Sequence, residues 1–194
     1  MPDALFVTAV AALLAAPGPT NALLARAGAT AGLRHSLRLV PIALCAYLTA
    51  ILAWGCLLAP AATVWPQLPA VMRVLCSLLL GLTALRLWRA ADAPLSDPGK
   101  DAKAGTLGLA TLLNPKCLLF AGGIFPRTAF SDPSTFLIAA AAFTLLLLPT
   151  AVAWIAFGAF LFGRRSNWGP AVAHRLAALL LAFFSATIGL SAVI

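Results

Sequence analysis

The chain has 194 residues, of which 62% are hydrophobic and only 9% charged, against roughly 25% charged in an ordinary soluble domain. A water-soluble fold of this size could not hide so much apolar surface, whereas in a bilayer lipid replaces water around the outward faces. The composition therefore excludes a soluble domain and predicts an all-α polytopic membrane protein. The net charge of +8 does not point to nucleic acid. The basic residues are spread through short gaps between apolar runs, where they orient and anchor helices, and a basic groove with stacking aromatics is absent.

In chain order, six apolar runs are predicted to be transmembrane helices. The first runs from Ala4 to about Leu24 and is interrupted at Pro17-Gly18-Pro19. Its leading segment carries Asp3 as its only charge and so lacks the positive n-region of a signal peptide; it is expected to stay as a membrane helix. A loop with Arg26, Arg34, His35 and Arg38 follows, then a second run from Leu39 to Pro60 and the uncharged stretch Ala61 to Pro69. The third run is Ala70 to Trp88. Residues 90–104 form a polar linker rich in Asp, Pro, Gly and Lys, expected to be a cytoplasmic loop joining two halves of one membrane domain, 1–89 and 105–194. The fourth run, Gly105 to Pro126, is broken by Asn114-Pro115-Lys116. The fifth, Ser134 to Phe162, exceeds the roughly 20 residues that a span requires, and Pro149 in its middle predicts a kink or a strong tilt. The sixth is Ala171 to Ile194.

Ten of the thirteen basic residues fall in the loops after the first, third and fifth runs. By the positive-inside rule those loops face the cytoplasm and both termini face the periplasm. The four cysteines, Cys45, Cys56, Cys76 and Cys117, all lie in apolar runs. Cys45 and Cys56 are separated by about 16 Å of helical rise, too far for a disulfide within one helix.

Six spans divide at the linker into three plus three, and an odd number per half forces the second half to begin on the opposite side. Homologous halves would then form an inverted repeat. Setting Pro19 against Pro115 aligns the two interruptions, each in the first helix of its half. A proline inside a helix removes a donor and frees a carbonyl, and such a break is tolerated in lipid only where protein or trapped water satisfies it. Lys116 is close to mid-membrane, where a charged residue carries an insertion penalty of roughly 2.5–3.5 kcal/mol. The chain has no glutamate, and none of its five aspartates is well inside a span. Lys116 should accordingly face a hydrated cavity, be neutral, or pair with an anion such as a substrate carboxylate. Free N–H and C=O groups at the breaks suit a zwitterion, with Asn21 and Asn114 able to donate and accept there. Thr20 and Thr111 add hydroxyls, although back-bonding to their own helices is the role expected first.

The segments Pro17-Gly18-Pro19-Thr20-Asn21 and Asn114-Pro115-Lys116, with the chain length, the six spans and the mid-chain linker, resemble the LysE/RhtB family of amino-acid exporters over nearly the whole chain. The chain is a divergent member by this resemblance. Leu39 to Cys45 lacks the glycines usual in the second helix, Cys76-Ser77-Leu78-Leu79-Leu80 replaces a G-x-x-Y-L pattern, and Ala177 or Ala178 replaces a glycine in the sixth. The resemblance implies export of amino acids or related metabolites across the bacterial inner membrane, driven by the proton motive force, with no cofactor, no metal and no enzymatic activity. Pro17, Gly18, Pro19 and Asn21 carry over onto its first motif, and Asn114, Pro115 and Lys116 onto its second. The expected partners are lipid and a zwitterionic or cationic small molecule; self-association into a homo-oligomer is left open. Three alternatives compete: a thiol-disulfide carrier, which needs two cysteines meeting at a break, a metal-ion transporter, which needs Asp, Glu or His inside spans, and a nonenzymatic structural membrane subunit. His35 and His174 both fall in loops.

Overall fold

The computed structural model describes residues 3–65, 67–90 and 104–161, and positions 175, 178, 179, 182, 183, 185 and 186. Among these the regular structure is entirely helical: α1 (Ala4–Ala15), α2 (Pro19–Ala31), α3 (Leu33–Ser36), α4 (Leu39–Val64), α5 (Leu68–Ala90), α6 (Ala104–Leu112), α7 (Pro115–Leu119) and α8 (Pro133–Leu161). A π-helical turn, Phe120–Ile124, continues α7, and a 3₁₀ turn, Arg127–Phe130, precedes α8. Most of the linker, and most of the sixth run, lie outside the described residues.

The helix ends follow from local chemistry. Asp3 caps α1 by accepting from the Phe6 N–H at 2.8 Å, as an N-cap carboxylate does. Asp132 caps α8, accepting from the N–H groups and hydroxyls of Ser134 and Thr135. The hydroxyl and N–H donors of Ser134 and Thr135 hold its carboxyl well below the usual carboxylate range. Two of the five aspartates are thus helix caps. Gly32, with φ of 80°, makes the turn between α2 and α3 that a residue with a Cβ would resist.

Several boundaries differ from expectation. Helix α2 continues to Ala31, so Arg26 sits on a helix rather than in a loop; alanine and arginine are strong helix formers and nothing before Gly32 stops the chain. Helix α4 passes through Pro60 to Val64, and α8 passes through Pro149 as one helix of 29 residues, about 43 Å long.

Leu33–Leu58 and Pro133–Phe160 are each long and apolar enough to cross a membrane. The number rises to four if the bent pairs α1 with α2 (54°) and α6 with Pro115–Ile124 (42°) are each one span. Large apolar side chains stand exposed on the outer faces, among them Leu5, Leu57, Leu145 and Phe160. A monomer in water seldom displays so much apolar surface; lipid accommodates it.

Inside, α2 lies along α8, α4 packs on α6, α7 and the π turn, and α5 packs on α7. Where α2 crosses α8, a Cβ at Gly28 would collide with the Ile155 carbonyl, and one at Gly158 with the Ala25 carbonyl. Lipid gives helices no hydrophobic reason to associate, so such close backbone contact and interhelical hydrogen bonds hold them. At the far edge Ser77 Oγ donates to the Ser185 carbonyl at 2.8 Å, and Ser185 Oγ donates to the Ser77 carbonyl at 2.8 Å.

Candidate functional site where two broken helices cross

The first break falls at Ala16 to Gly18. Pro17 has no N–H, so the carbonyls at the end of α1 lose helical partners. Asn21, in the first turn of α2, reaches back and donates to the carbonyls of Leu14 and Ala16, both at 2.8 Å. The second break falls at Leu113 and Asn114. Asn114 is the N-cap of α7, its Oδ1 accepting from the Lys116 N–H at 3.0 Å. Cys117 reaches back as Asn21 does, its Sγ 3.2 Å from the Thr111 carbonyl.

The two breaks lie against each other. The Lys116 amine donates to the Ala16 carbonyl, which therefore serves both Asn21 and Lys116 and has both lone pairs engaged. Gly18 makes the approach possible, because a Cβ there would stand 3.0 Å from Lys116 Cε and 3.2 Å from Nζ. From the other side, Asn114 Nδ2 donates to Thr20 Oγ1 at 3.0 Å and to the Tyr47 hydroxyl at 3.3 Å. Thr111 Oγ1 donates to the Leu107 carbonyl at 2.8 Å and lies 3.0 Å from Thr20 Oγ1. A hydroxyl has one proton to give, so a directed chain runs from Asn114 through Thr20 and Thr111 to Leu107.

The arrangement is reciprocal. Gly18, Pro19, Thr20 and Asn21 hold the same positions at the start of α2 as Asn114, Pro115, Lys116 and Cys117 at the start of α7. The second helical residue of each, Thr20 or Lys116, touches the N-cap of the other, Asn114 or Gly18. The third of each, Asn21 or Cys117, bonds back to the half-helix before it.

The residues expected at a site are thus brought together, with differences in their partners. Lys116 is 1% exposed, and its amine meets the Ala16 backbone carbonyl. Both amide hydrogens of Asn21, and those of Asn114 with its Oδ1, are engaged within the protein. Thr111 back-bonds as expected and also joins the network, whereas Thr20 joins two helices. Pro17 and Gly18 are buried and Pro19 and Pro115 half-buried. Tyr47 was not anticipated. It is 2% exposed, and the available signal was that it is the one tyrosine of the chain, in mid-span of the second run. Beside it a small cavity lined by Thr20, Asn21, Leu24, Ala43, Tyr47 and Thr150 has space for about one water molecule.

Cys45 and Cys56 are exposed on α4, Cys117 is buried, and all three are free thiols. The Cys76 side chain lies outside the described residues. Among the described residues no group of three or more His, Cys, Asp or Glu side chains is placed to hold a metal ion.

Neither the curated proteins nor the solved structures provide a match. The family described as LysE type translocator matches residues 11–194, which includes both breaks and every residue of the crossing. With its apolar spans and two interrupted helices, the chain is a transmembrane protein that belongs to the LysE type translocator family.

Proposed function

We propose that the protein exports amino acids or related small metabolites from the cytoplasm as a secondary transporter, by alternating access around the crossing of the two breaks and coupled to the proton motive force. The observation that carries this reading is the buried Lys116 amine held against the Ala16 carbonyl, where two helix interruptions meet. A broken span in lipid costs backbone hydrogen bonds, and its usual return is a place where polar groups meet a solute. Lys116 offers a donor to a substrate carboxylate. The Ala16 and Leu14 carbonyls offer acceptors to an ammonium once Asn21 swings aside.

The reciprocal contacts of the two half-helix starts support six spans in a three-plus-three inverted repeat. The distribution of basic residues supports cytoplasmic loops after the first, third and fifth spans, in a bacterial inner membrane. The cavity beside Tyr47 has space for about one water, less than an amino acid needs, so transport requires the crossing to part.

The test is efflux from liposomes reconstituted with the purified protein and loaded with a radiolabelled mixture of proteinogenic amino acids, under an imposed proton gradient. The wild type should release label, and Lys116→Met should slow release by about ten- to a hundredfold, the equivalent of ~1.5–3 kcal/mol for a hydrogen bond to a charged group. Release of nothing by the wild type, or release undiminished in Lys116→Met, would refute the reading.

A further inference from the structure

We infer that the aromatic cluster beside Tyr47 is a gate, closing the site toward the end of the bundle that carries Asp3 and Asp132, and that Tyr47 couples this gate to the site. The inference rests on the transport reading above. Tyr47 has two environments. Its hydroxyl accepts from Asn114 within the crossing. Its ring meets Phe120 edge-on with centroids 6.1 Å apart and Phe143 with centroids 5.8 Å apart. Phe120 and Phe143 lie 5.1 Å from each other, and Phe125 joins them 6.0 Å from Phe143 and 5.5 Å from Phe6. These rings come from α1, α4, the π turn and α8, and from the Phe125 that follows the turn. The seal exists only while those elements stay together.

On the other side of Tyr47 lies the small cavity, and the next ring pair, Trp154 and Phe157, comes further along α8. The cavity there is lined by Leu24, Ala43 and Thr150 beside the break residues. Tyr47 is therefore the partition between the space at the crossing and the packed rings.

The packing also differs between the two ends. Toward the end at Gly32, α2 and α8 touch backbone to backbone at Gly28 and Gly158, with no room for a carbon atom. At the ring end the contacts are edge-on, tilted and stacked aromatic pairs. Two of the rings, Phe120 and Phe125, bracket the π turn, closed by the Phe125 N–H donating to the Phe120 carbonyl at 2.7 Å. Such turns are frequent at functional sites, and irregular backbone at membrane depth is tolerated against protein or a water-filled path. The π turn continues directly from the half-helix that carries Lys116. Displacement of Lys116 from the Ala16 carbonyl thus moves Phe120, and displacement of Asn114 moves Tyr47.

Cys117 is a built-in reporter: it is fully buried and three residues before Phe120. In liposome-reconstituted protein with Cys45, Cys56 and Cys76 replaced by alanine, Cys117 should react slowly with a membrane-impermeant maleimide. Phe120→Ala and Phe143→Ala should each speed that reaction about tenfold or more, since labelling of a buried group follows the population of the open state. Phe160→Ala, on the lipid-facing side of α8, should leave it unchanged. Tyr47→Phe keeps the ring and should keep Cys117 protected while lowering the maximal efflux rate. Unchanged labelling in both ring variants, or equal acceleration by Phe160→Ala, would overturn the gate. Tyr47→Phe with wild-type efflux would overturn the coupling. A lock tests the same gate without removing packing: in a cysteine-free background, Phe6→Cys with Phe125→Cys should stop efflux on oxidation and recover it on reduction, and undiminished efflux of the oxidised protein would refute the gate. Labelling is read without any solute, so absence of efflux in the wild type would sink the transport reading while Cys117 labelling still decides whether the rings seal the path.

Discussion

The break after α1 and the break after α6 occupy corresponding places, yet they distribute their polar groups in opposite ways. At the first, the carbonyl end is elaborated: Asn21 serves Leu14 and Ala16 together, and the N-cap Gly18 has no side chain to offer. At the second, the N–H end is elaborated: Asn114 caps α7, while at the carbonyl end the Thr111 carbonyl takes the Asn114 N–H and the weakly donating Cys117 thiol. One break is rich in acceptors and the other in donors, and the Lys116–Ala16 bond is where they meet. Each interruption is completed by the other, so neither can be understood as a local kink.

That comparison can be broken at matched positions. Asn21 and Cys117 hold the same place in their half-helices, but an amide donates strongly and a thiol weakly. Asn21→Leu leaves two buried carbonyls without this donor, at about 1–3 kcal/mol for an unsatisfied buried group, and should lower the thermal midpoint in detergent by several degrees. Gly18→Ala comes next. A methyl group there meets the flexible end of Lys116 rather than backbone, so the midpoint should fall only slightly while efflux drops severalfold; loss of stability with normal efflux would contradict the placement of Lys116. Cys117→Ala should change both by little, about 0.5 kcal/mol or less in stability, because a thiol behaves chiefly as a small hydrophobe. A loss as large as that of Asn21→Leu would show that the two breaks are not divided into donor-rich and acceptor-rich ends.

The smallest effect concerns the cap of α8, outside the crossing. The folded protein holds the Asp132 carboxyl below its usual range, so its contribution to stability is present above about pH 4 and is lost as the pH falls through the folded value. Stability measured from neutral pH down to about pH 3 should decline less in Asp132→Asn than in the wild type. Equal decline would assign the acid sensitivity elsewhere.

How legible was this in the residues? Both breaks were, because proline and asparagine inside apolar runs contradict a continuous span. So was Lys116, a charge without a carboxylate in an apolar stretch. The meeting of the breaks was not, since positions 16 and 116 are 100 residues apart and only packing joins them. Tyr47 escaped because a tyrosine in an apolar run reads as core until its hydroxyl has a partner. The dual role of Thr111 escaped for a similar reason: back-bonding and a contact across helices use different faces of the same oxygen. The end of α2 was misplaced because Gly28 and Thr30 weaken a helix there without ending it, and Gly32 ends it.

The acceptor shared by Asn21 and Lys116 is a main-chain oxygen, and this has a consequence for how such a protein is probed. Scanning side chains would report position 16 as a small residue limited by space, and would pass over the atom on which two donors converge. Replacing the Ala16 carbonyl oxygen by sulfur, as a thioamide, leaves every side chain in place, weakens that acceptor and reaches it directly.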